Sequence, residues 1–424
     1  MNLSERDKLY NWHPYTQHKI HSNFPAIVRG RDEFLWDENN KQYIDAIASW
    51  WVNPFGHSNP IIAAAIYKQL TTLEHVLFGG FTHQPVVELA EKLIQIIPSN
   101  QRKFFYSDNG STAVEVAIKA SFQFFFNKGI KKNTIIAFED AFHGDTFGAM
   151  AVSGISLFTE AFQGSLIKVV RIPVPVKGKE DEAVLLLKEA IQNNEVASFI
   201  FEPLVLGAAG MIMYEPKILD ELIAICRENE VLTIADEVMT GFGKTGKYFA
   251  SDYLTELPDM MCLSKALTGG TIPMAITSFA QEIFDGFVSD SVNHAFFHGH
   301  TFTANPTGCA AALASLELVV HRSAIIQSET YKLMVIEIPT ENQEMVREIQ
   351  LSDLPPNWNT LQSYPRLQEI GSGWFEKRES LILKVPSALI PQEHNFVINT
   401  KHDSFSTHVK LIGLEDFYWD GRLF

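Results

Sequence analysis

The chain of 424 residues is short of three things: cysteine, basic charge and long apolar runs. Its three cysteines, Cys226, Cys262 and Cys309, lack metal-ligand spacing, and an odd number does not suggest a disulfide framework. The 34 basic residues against 50 acidic ones leave a formal charge of −16, which argues against a nucleic-acid surface.

No apolar run reaches the roughly 20 residues of a membrane-spanning helix, and Met1–Asp7 lacks the apolar stretch of a signal peptide. The sequence shows no internal repeat and no low-complexity segment. We therefore expect a cytoplasmic protein with buried free thiols, and no nucleic-acid or membrane partner.

Hydrophobic residues, at 46% of the chain, suffice for a large core, and their pattern changes along the sequence. Up to about residue 320, short apolar strands alternate with helical stretches, which predicts an α/β fold with a mainly parallel sheet. The predicted strands are Thr134–Phe138, Ser198–Phe201, Val231–Ala235 and Met260–Leu263, and the predicted helices include Glu182–Gln192 and Pro216–Asn229. Beyond about residue 330 helical periodicity is weak, and short strands are predicted at Ile336–Pro339, Leu354–Trp358 and Leu381–Ala388.

A carboxylate and a lysine follow two of the apolar strands. Asp236 comes directly after Leu232-Thr-Ile-Ala, and Lys265 follows Met260-Met-Cys-Leu-Ser. Taken singly, Asp236 would be a helix N-cap and Lys265 a surface lysine. In a parallel sheet, however, both would stand at the carboxyl edge, where ligands bind. Pyridoxal phosphate needs such a pair, a lysine for its Schiff base and a carboxylate for its ring nitrogen.

Three further segments carry weaker signals. Gly110 and Ser111 precede a helical stretch, where backbone N–H groups bind phosphate, although for this motif alone an ordinary helix capped by Thr112 and Glu115 is the favoured explanation. Phe142 or His143 could stack on a flat ring. His298-Gly-His300 lacks a third ligand for a metal, so no metal site is expected there.

In their order along residues 8–320, these segments resemble the class III (subgroup II) aminotransferases of fold type I. The matching segments are Trp12–Thr16, Ala48–Trp51, Ser107–Ser111, His143–Met150, Glu202-Pro, Ile234–Val238, Gly241–Gly246, Lys265–Gly270 and His298–Phe302. The tryptophan pair Trp50-Trp51 and His13-Pro-Tyr-Thr16 favour the branch of this family that acts in biotin synthesis.

The resemblance implies pyridoxal 5'-phosphate as cofactor and S-adenosylmethionine and 8-amino-7-oxononanoate as substrates. Lys265 would bind the cofactor covalently and later move a proton, and Asp236 would keep the ring nitrogen protonated. The implied cofactor-binding residues are Gly110, Ser111, Phe142, Asp236, Lys265, His300 and Thr301, with Thr301 coming from the second subunit of a homodimer. The implied substrate-binding residues are Tyr15, Trp50, Phe142 and Gly299.

The chain departs from the family in three places. Phe142 replaces a tyrosine, Lys244 replaces an arginine, and the C-terminal arginine segment that grips the substrate carboxylate is absent. The tail, from about residue 312, resembles instead the C-terminal part of RES-type domains, which are NAD-degrading toxins. Glu317 and Ser387 match RES site positions, but the N-terminal part of such a domain is missing.

The predicted organisation has three parts. Residues 1–50 would contribute to the small domain and the active site, residues 51–320 would form the large cofactor-binding domain, and residues 321–424 would form an atypical RES-like, β-rich segment. The favoured function is amino transfer in biotin synthesis. Another class III ω-aminotransferase, a RES-type toxin and an inactive hybrid stay open as alternatives.

Overall fold

The computed structural model describes residues 1–21, 23–154, 156–325, 331–337, 345–355, 358, 363–386 and 394–417. Ser387 and the last residues of the tail lie outside the described residues.

Strands and helices alternate through most of the described chain. The strands are β1 Ile27–Arg31, β2 Phe34–Asp37, β3 Gln42–Ile44, β4 Gln101–Ser107, β5 Thr134–Phe138, β6 Val169–Ile172, β7 Val196–Phe201, β8 Val205–Leu206, β9 Ile212–Met213, β10 Leu232–Asp236, β11 Met260–Leu263, β12 Ala275–Ala280, β13 Tyr331–Glu337, β14 Val346–Glu348, β15 Ile382–Pro386, β16 His394–Ile398 and β17 Lys410–Phe417.

The helices are α1 Leu3–Tyr10, α2 Ala48–Trp51, α3 Pro60–Leu70, α4 Gln84–Ile96, α5 Gly110–Asn127, α6 Phe147–Val152, α7 Ser156–Thr159, α8 Glu180–Asn193, α9 Pro216–Glu228, α10 Gln281–Asp285, α11 Pro306–Ile325, α12 Tyr364–Lys377 and α13 Phe405–His408. Short 3₁₀ helices occur at Glu160–Ser165, Ala250–Tyr253, Lys265–Thr268, Val292–His294 and Leu351–Asp353.

Seven strands form the central sheet, in the order β4-β12-β11-β10-β7-β5-β6. The strands from β11 to β6 run parallel, and β12 runs antiparallel to both of its neighbours. The predicted mainly parallel sheet is therefore confirmed.

Helices cover both faces of this sheet because its inner strands have no solvent-facing side. Every residue of β5 and β7 is buried. On β10, Ile234 packs into the core formed with α5, whereas Ala235 packs into the core shared with α4, α8 and α9. This alternation follows from the two-residue period of a strand.

The strongest local patterns were predicted closely. Strands β5 and β11 have the predicted bounds, and β7, β10, α8 and α9 differ from their predictions by at most two residues at either end. Strands β4 and β12 were not predicted. The three cysteines are buried and unpaired.

The tail forms its own small sheets. Strand β13 pairs antiparallel with β17, and β14, β15 and β16 form a three-stranded sheet. Helix α12 covers this sheet through Trp374, which packs with Ile349 and Leu383 in a separate core. A β-rich tail is therefore confirmed.

Two predictions for the tail were wrong. Helix α12 was missed because Gly371 and Gly373 lower its helix propensity, although Leu367, Ile370 and Trp374 keep helical spacing. In the stretch predicted as a strand at Leu354–Trp358, the described residues Leu354, Pro355 and Trp358 form no strand, and residues 356 and 357 lie outside the described residues. Its two prolines, Pro355 and Pro356, cannot donate ladder hydrogen bonds.

Helix α11 continues through residue 320, so the change of architecture follows the end of this helix. Across the described residues, no helix combines the length and apolarity that crossing a membrane requires.

Candidate active site

A cavity of about 540 Å³ opens beyond the carboxyl ends of the parallel strands. Asp236 is the last residue of β10, and Lys265 follows β11 by two residues. Both line the cavity because β10 and β11 are parallel neighbours, with Asp236 level with Cys262. The cavity is also lined by Trp51, Asp108, Gly110, Ser111, Phe142, His143, Glu202, Val238, Ser264 and Thr268.

Lys265 is held in a sterically demanding conformation. It begins a short 3₁₀ helix with φ +50°, a left-handed value that is unusual for a residue other than glycine. Its Nζ lies 5.0 Å from the ring centre of Trp51. Burial lowers the pKa of Lys265, while the charges of Asp236 and Glu202 oppose this shift. The site therefore raises the share of neutral amine at Lys265, the form that acts as a nucleophile.

Trp51 reaches Lys265 from an unusual backbone. Ala48, Ser49, Trp50 and Trp51 all have positive φ, so α2 is a single left-handed turn. Such residues cost on the order of 1 kcal/mol each. The left-handed turn therefore lies where this segment contacts Lys265 through Trp51.

Asp236 is 4% exposed and has two partners. Its Oδ2 lies 2.7 Å from Nδ1 of His143, and its Oδ1 accepts the N–H of Val238 at 3.1 Å. Nε2 of His143 is buried without a hydrogen-bond partner among the described residues. His143 thus orients the carboxylate of Asp236 through this hydrogen bond. This role differs from the ring stacking that the sequence suggested for His143.

Glu202 is a second buried carboxylate that lines the cavity. Its Oε1 accepts the N–H of Phe142 at 3.0 Å, and its Oε2 accepts the N–H of Gly207 at 2.9 Å. Burial raises the pKa of Glu202 to about 7, although both backbone hydrogen bonds oppose the shift. One carboxyl group therefore joins two strand-end loops that line the cavity.

Helix α5 points its N-terminus at the cavity. Asn109 is the N-cap and accepts the N–H of Thr112 at 3.0 Å, while Thr112 Oγ1 accepts the N–H of Asn109. Within the described chain, no hydrogen bond is recorded for the N–H groups of Gly110 and Ser111. These two donors and the helix dipole favour an anion.

The capping box predicted at Thr112 and Glu115 was therefore wrong by three residues. The helix begins at Gly110, and Glu115 instead accepts the N–H groups of Gly148 and Ala149. The sequence offers this three-residue spacing twice, at Asn109 with Thr112 and at Thr112 with Glu115. Only the contact of Glu115 with Gly148 and Ala149 excludes the second pair as the cap.

A row of aromatic rings leads from the surface to the cavity. The ring centres of Trp50 and Tyr15 are 5.6 Å apart, those of Tyr15 and Phe158 are 5.5 Å apart, and those of Phe158 and Phe142 are 5.8 Å apart. The hydroxyl of Tyr15 donates to Asp145, and burial and this carboxylate raise the pKa of Tyr15. Tyr15 and Trp50 thus stand at the entrance, whereas Phe142 stands inside.

Besides Tyr15 and Trp50 at the entrance, three predicted site residues lie away from the cavity lining in this single chain. Gly299 has open space beside it, and Thr301 is exposed. His300 lies 2.5 Å, Nδ1 to Oδ2, from Asp108, which itself lines the cavity. The loop therefore reaches the site through Asp108.

Sequence reasoning assigned no individual role in the cavity to Glu202, Trp51 or Asp108, although each lies in a segment that resembles the family. Glu202 directly follows β7, so its position at a strand end was the available signal. Asp108 likewise directly follows β4, but this strand was not predicted, and Trp51 reaches the cavity through a left-handed turn that the sequence does not indicate.

Comparison with known proteins agrees with this geometry. The family model described as Aminotransferase class-III matches residues 15–349. The chain is 44% identical over 345 residues to the adenosylmethionine-8-amino-7-oxononanoate aminotransferase of Synechococcus elongatus, an alignment that covers 79% of this chain and 81% of that protein. The protein of the same name from Staphylococcus aureus is 40% identical, with 77% and 76% covered.

Solved structures show the same similarity. The adenosylmethionine-8-amino-7-oxononanoate aminotransferase of Methanocaldococcus jannaschii has a TM-score of 0.73 at 38% identity, covering 77% of this chain and 76% of that one. The omega transaminase of Pseudomonas jessenii in complex with PMP has a TM-score of 0.71 at 29% identity, with 77% and 76% covered. A second family model, the RES domain, matches residues 307–420 and overlaps the first.

Proposed function

The chain belongs to the class III aminotransferases, a family that depends on pyridoxal phosphate, and from that premise we propose that it acts in biotin synthesis. It would transfer the amino group of S-adenosylmethionine to 8-amino-7-oxononanoate and give 7,8-diaminononanoate. The observation that carries the proposal is the cavity in which Lys265, the Asp236–His143 pair and the N-terminus of α5 converge.

The residues of this cavity fit pyridoxal phosphate. The two free N–H groups at Gly110 and Ser111 suit its phosphate, and a Cβ at Gly110 would lie 2.7 Å from Cγ1 of Val238, so the wall has no room for a side chain there. The buried carboxylate of Asp236 suits a protonated ring nitrogen. Phe142 offers an apolar face, and Lys265 offers an amine of lowered pKa.

When bound, the cofactor supplies an aldehyde that exchanges amino groups and a ring that withdraws electrons from the reacting carbon. Nζ of Lys265 would hold the cofactor and would accept and return a proton, and burial favours the neutral amine that this role needs because it lowers the pKa of Lys265. The carboxylate of Asp236 would face the ring nitrogen, and His143 keeps this carboxylate oriented through its hydrogen bond to Oδ2. Glu202 holds the backbone of Phe142 and Gly207 in place.

Tyr15, Trp50 and Phe142 would form the substrate entrance, since their rings line one path into the cavity. We further propose a cytoplasmic homodimer in which Thr301 completes the site of the other subunit. Thr301 is exposed in the single chain, which supports this arrangement. Residues 51–320 would form the cofactor-binding domain, with 1–50 and 321–424 as the other two parts.

The NAD-degrading alternative finds little support in the described residues. Glu317, one of the two RES site positions, forms an ion pair with Lys92 at 2.7 Å between α11 and α4. It therefore helps to pack the aminotransferase part.

The test combines spectroscopy with donor specificity. Purified protein reconstituted with pyridoxal phosphate should show a visible absorption band, and Lys265→Ala should lack it. Lys247→Ala, which removes a lysine outside the cavity, serves as the matched control. Product should form with S-adenosylmethionine as donor. Formation only with simple ω-amines would favour another ω-aminotransferase, and loss of NAD on incubation would favour the RES activity.

A further inference from the structure

The carboxylate of Asp45 holds the left-handed turn Ala48–Trp51 from one side. Oδ1 of Asp45 accepts the backbone N–H of Ser49 at 3.0 Å, and Oδ2 accepts the hydroxyl of Ser49 at 2.6 Å. Oδ2 also lies 2.9 Å from Nε2 of His57, and the backbone carbonyl of Asp45 accepts the N–H of Ala48 at 3.1 Å. The side chain of Asp45 is only 7% exposed, so these donors take the place of water at the carboxylate.

His57 connects the same carboxylate to the far end of the turn. Although burial opposes the shift, hydrogen bonds from Ser49 and His57 lower the pKa of Asp45, so the carboxylate is ionised. An ionised carboxylate has only acceptors, and His57 therefore donates to it through Nε2. Nδ1 of His57 then accepts the side-chain amide of Asn53 at 3.0 Å, and the backbone N–H of Asn53 donates to the carbonyl of Ala48 at 3.2 Å. Asp45 thus reaches both ends of the turn.

The opposite side of this segment rests on the cavity. A Cβ at Gly270 would lie 2.6 Å from the carbonyl oxygen of Val52 and 3.2 Å from Cα of Asn53, so the two stretches of backbone are in direct contact. Gly270, Val52 and Trp51 all line the cavity. The turn therefore lies between Asp45 on one side and the cavity on the other.

Residues 48–51 need such contacts because their own backbone disfavours the turn. Their φ values run from +46° to +65°, and none of the four is glycine. Each such residue is unfavourable by itself, because its Cβ crowds the following carbonyl oxygen. Surrounding contacts must therefore fix the turn, and Asp45 supplies two of them directly and one through His57.

We propose that Asp45 is a positioning residue for the substrate pocket, which holds the turn that brings Trp50 to the entrance and Trp51 to Lys265. The inference rests on the proposed function, because the pocket is assigned there to the substrates. Asp45 itself does not line the cavity, so it acts on the reaction only through the two tryptophans. Its removal should loosen the pocket without removing a group that touches the cofactor.

Steady-state kinetics of the cofactor-loaded protein test this role. Asp45→Ala removes all three side-chain hydrogen bonds, so kcat/KM should fall about tenfold or more, since one hydrogen bond to a charged group already corresponds to about tenfold. The fall should lie mainly in KM, and the dissociation constant of the cofactor should not change, because Lys265, Asp236 and Gly110 belong to other elements. Weaker cofactor binding with an unchanged KM would overturn the proposal.

A matched control and a conservative variant accompany this measurement. Asp32→Asn removes a carboxylate that is 70% exposed, beside the backbone bridge to His57, and should behave as the wild type. Asp45→Asn keeps an acceptor for the N–H of Ser49, and its amide donates to Nε2 of His57 once the imidazole proton moves to Nδ1. Asn53 can turn its amide to accept that proton, because its Oδ1 has no partner among the described residues. Asp45→Asn should therefore keep most of kcat/KM.

A double-variant comparison separates positioning from general stability. In a chain that already carries Trp50→Ala and Trp51→Ala, Asp45→Ala should not lower kcat/KM further, because the side chains through which Asp45 acts are gone. The same loss of kcat/KM on both backgrounds would show that Asp45 acts by another route, and would overturn the proposal.

A second readout needs neither cofactor nor substrate. In protein labelled with 5-fluorotryptophan, the fluorine resonances of Trp50 and Trp51, assigned with Trp50→Phe and Trp51→Phe, should move in Asp45→Ala. The resonance of Trp374, in the separate core of the tail, should not move. Ser49→Ala, which removes only the hydroxyl hydrogen bond, should give a smaller change in the same direction, and it replaces Asp45→Ala if that variant does not fold.

Unchanged resonances of both tryptophans in Asp45→Ala and Ser49→Ala would also overturn the proposal. Absence of amino transfer by the wild type would instead refute the proposed function, and the fluorine resonances would still decide whether Asp45 positions Trp50 and Trp51.

Discussion

Replacing Gly110 by alanine tests the packing beneath the proposed phosphate site. A Cβ at this position would lie 2.7 Å from Cγ1 and 3.2 Å from Cγ2 of Val238, whereas favourable carbon contacts are about 3.5–4.0 Å. Val238 has little freedom to withdraw, because its N–H donates to Asp236 and its side chain packs beside the core of α5.

Two opposing terms set the size of the effect. Alanine in a helix is favoured over glycine by about 0.5–1 kcal/mol, and overpacking costs about 1–3 kcal/mol. We therefore expect Gly110→Ala to lower the free energy of unfolding by roughly 1 kcal/mol and to weaken cofactor binding, since relief of the clash moves the wall that carries Asp236. Thermal unfolding and cofactor titration measure the two effects.

Two controls isolate the clash. Gly371→Ala in α12 places its Cβ in open space, so it should leave stability unchanged or raise it by about 0.5–1 kcal/mol. Val238→Ala combined with Gly110→Ala removes both atoms that crowd the new Cβ, and the double variant should be more stable than the sum of the single effects predicts. A stabilised Gly110→Ala, or purely additive effects, would refute the reasoning.

Three other variants test separate parts of the molecule. Asp236→Asn should keep the cofactor bound but reduce turnover by about 10²–10³-fold, since it removes the carboxylate that we propose would face the ring nitrogen; unchanged single-turnover rates would contradict this role. Because the pKa of Glu202 rises from 4.5 to about 7 on folding, the folded state holds the extra proton, and the contribution of Glu202 to stability should fall as pH rises between these values. Thermal unfolding of the wild type and Glu202→Gln across this range checks the sign, and a difference independent of pH would argue against it. Trp374, 2% exposed with Nε1 donating to Ser380, anchors the tail, so Trp374→Ala should cost about 3–5 kcal/mol locally and expose residues 345–417 to protease. Phe396→Ala, an exposed position on β16, is its control, and equal protease sensitivity of the two variants would count against a separate tail core.

The parts of the fold that follow from local pattern were predictable from sequence. Strands β5 and β11 are unbroken apolar runs, so burial on both faces of a parallel sheet is visible in the sequence itself. Helix α9 is bounded by Pro216 and carries its buried residues on one face, which makes its extent equally readable. Helix α12 was missed because packing around Trp374 outweighs the low propensity of its two glycines.

The candidate site, like the fold, has parts that the sequence predicts and parts that it does not predict. The order of Asp236 and Lys265 after two apolar strands placed both groups at one sheet edge, because neighbouring parallel strands end on the same side. Sequence alone determined which chemistry this edge offers. The tertiary structure decided which groups control it: His143 meets Asp236 across 93 residues of chain, and His300 meets Asp108 across 192. Local sequence preferences do not encode contacts at such separations, since these depend on how whole elements pack and not on the residues beside them.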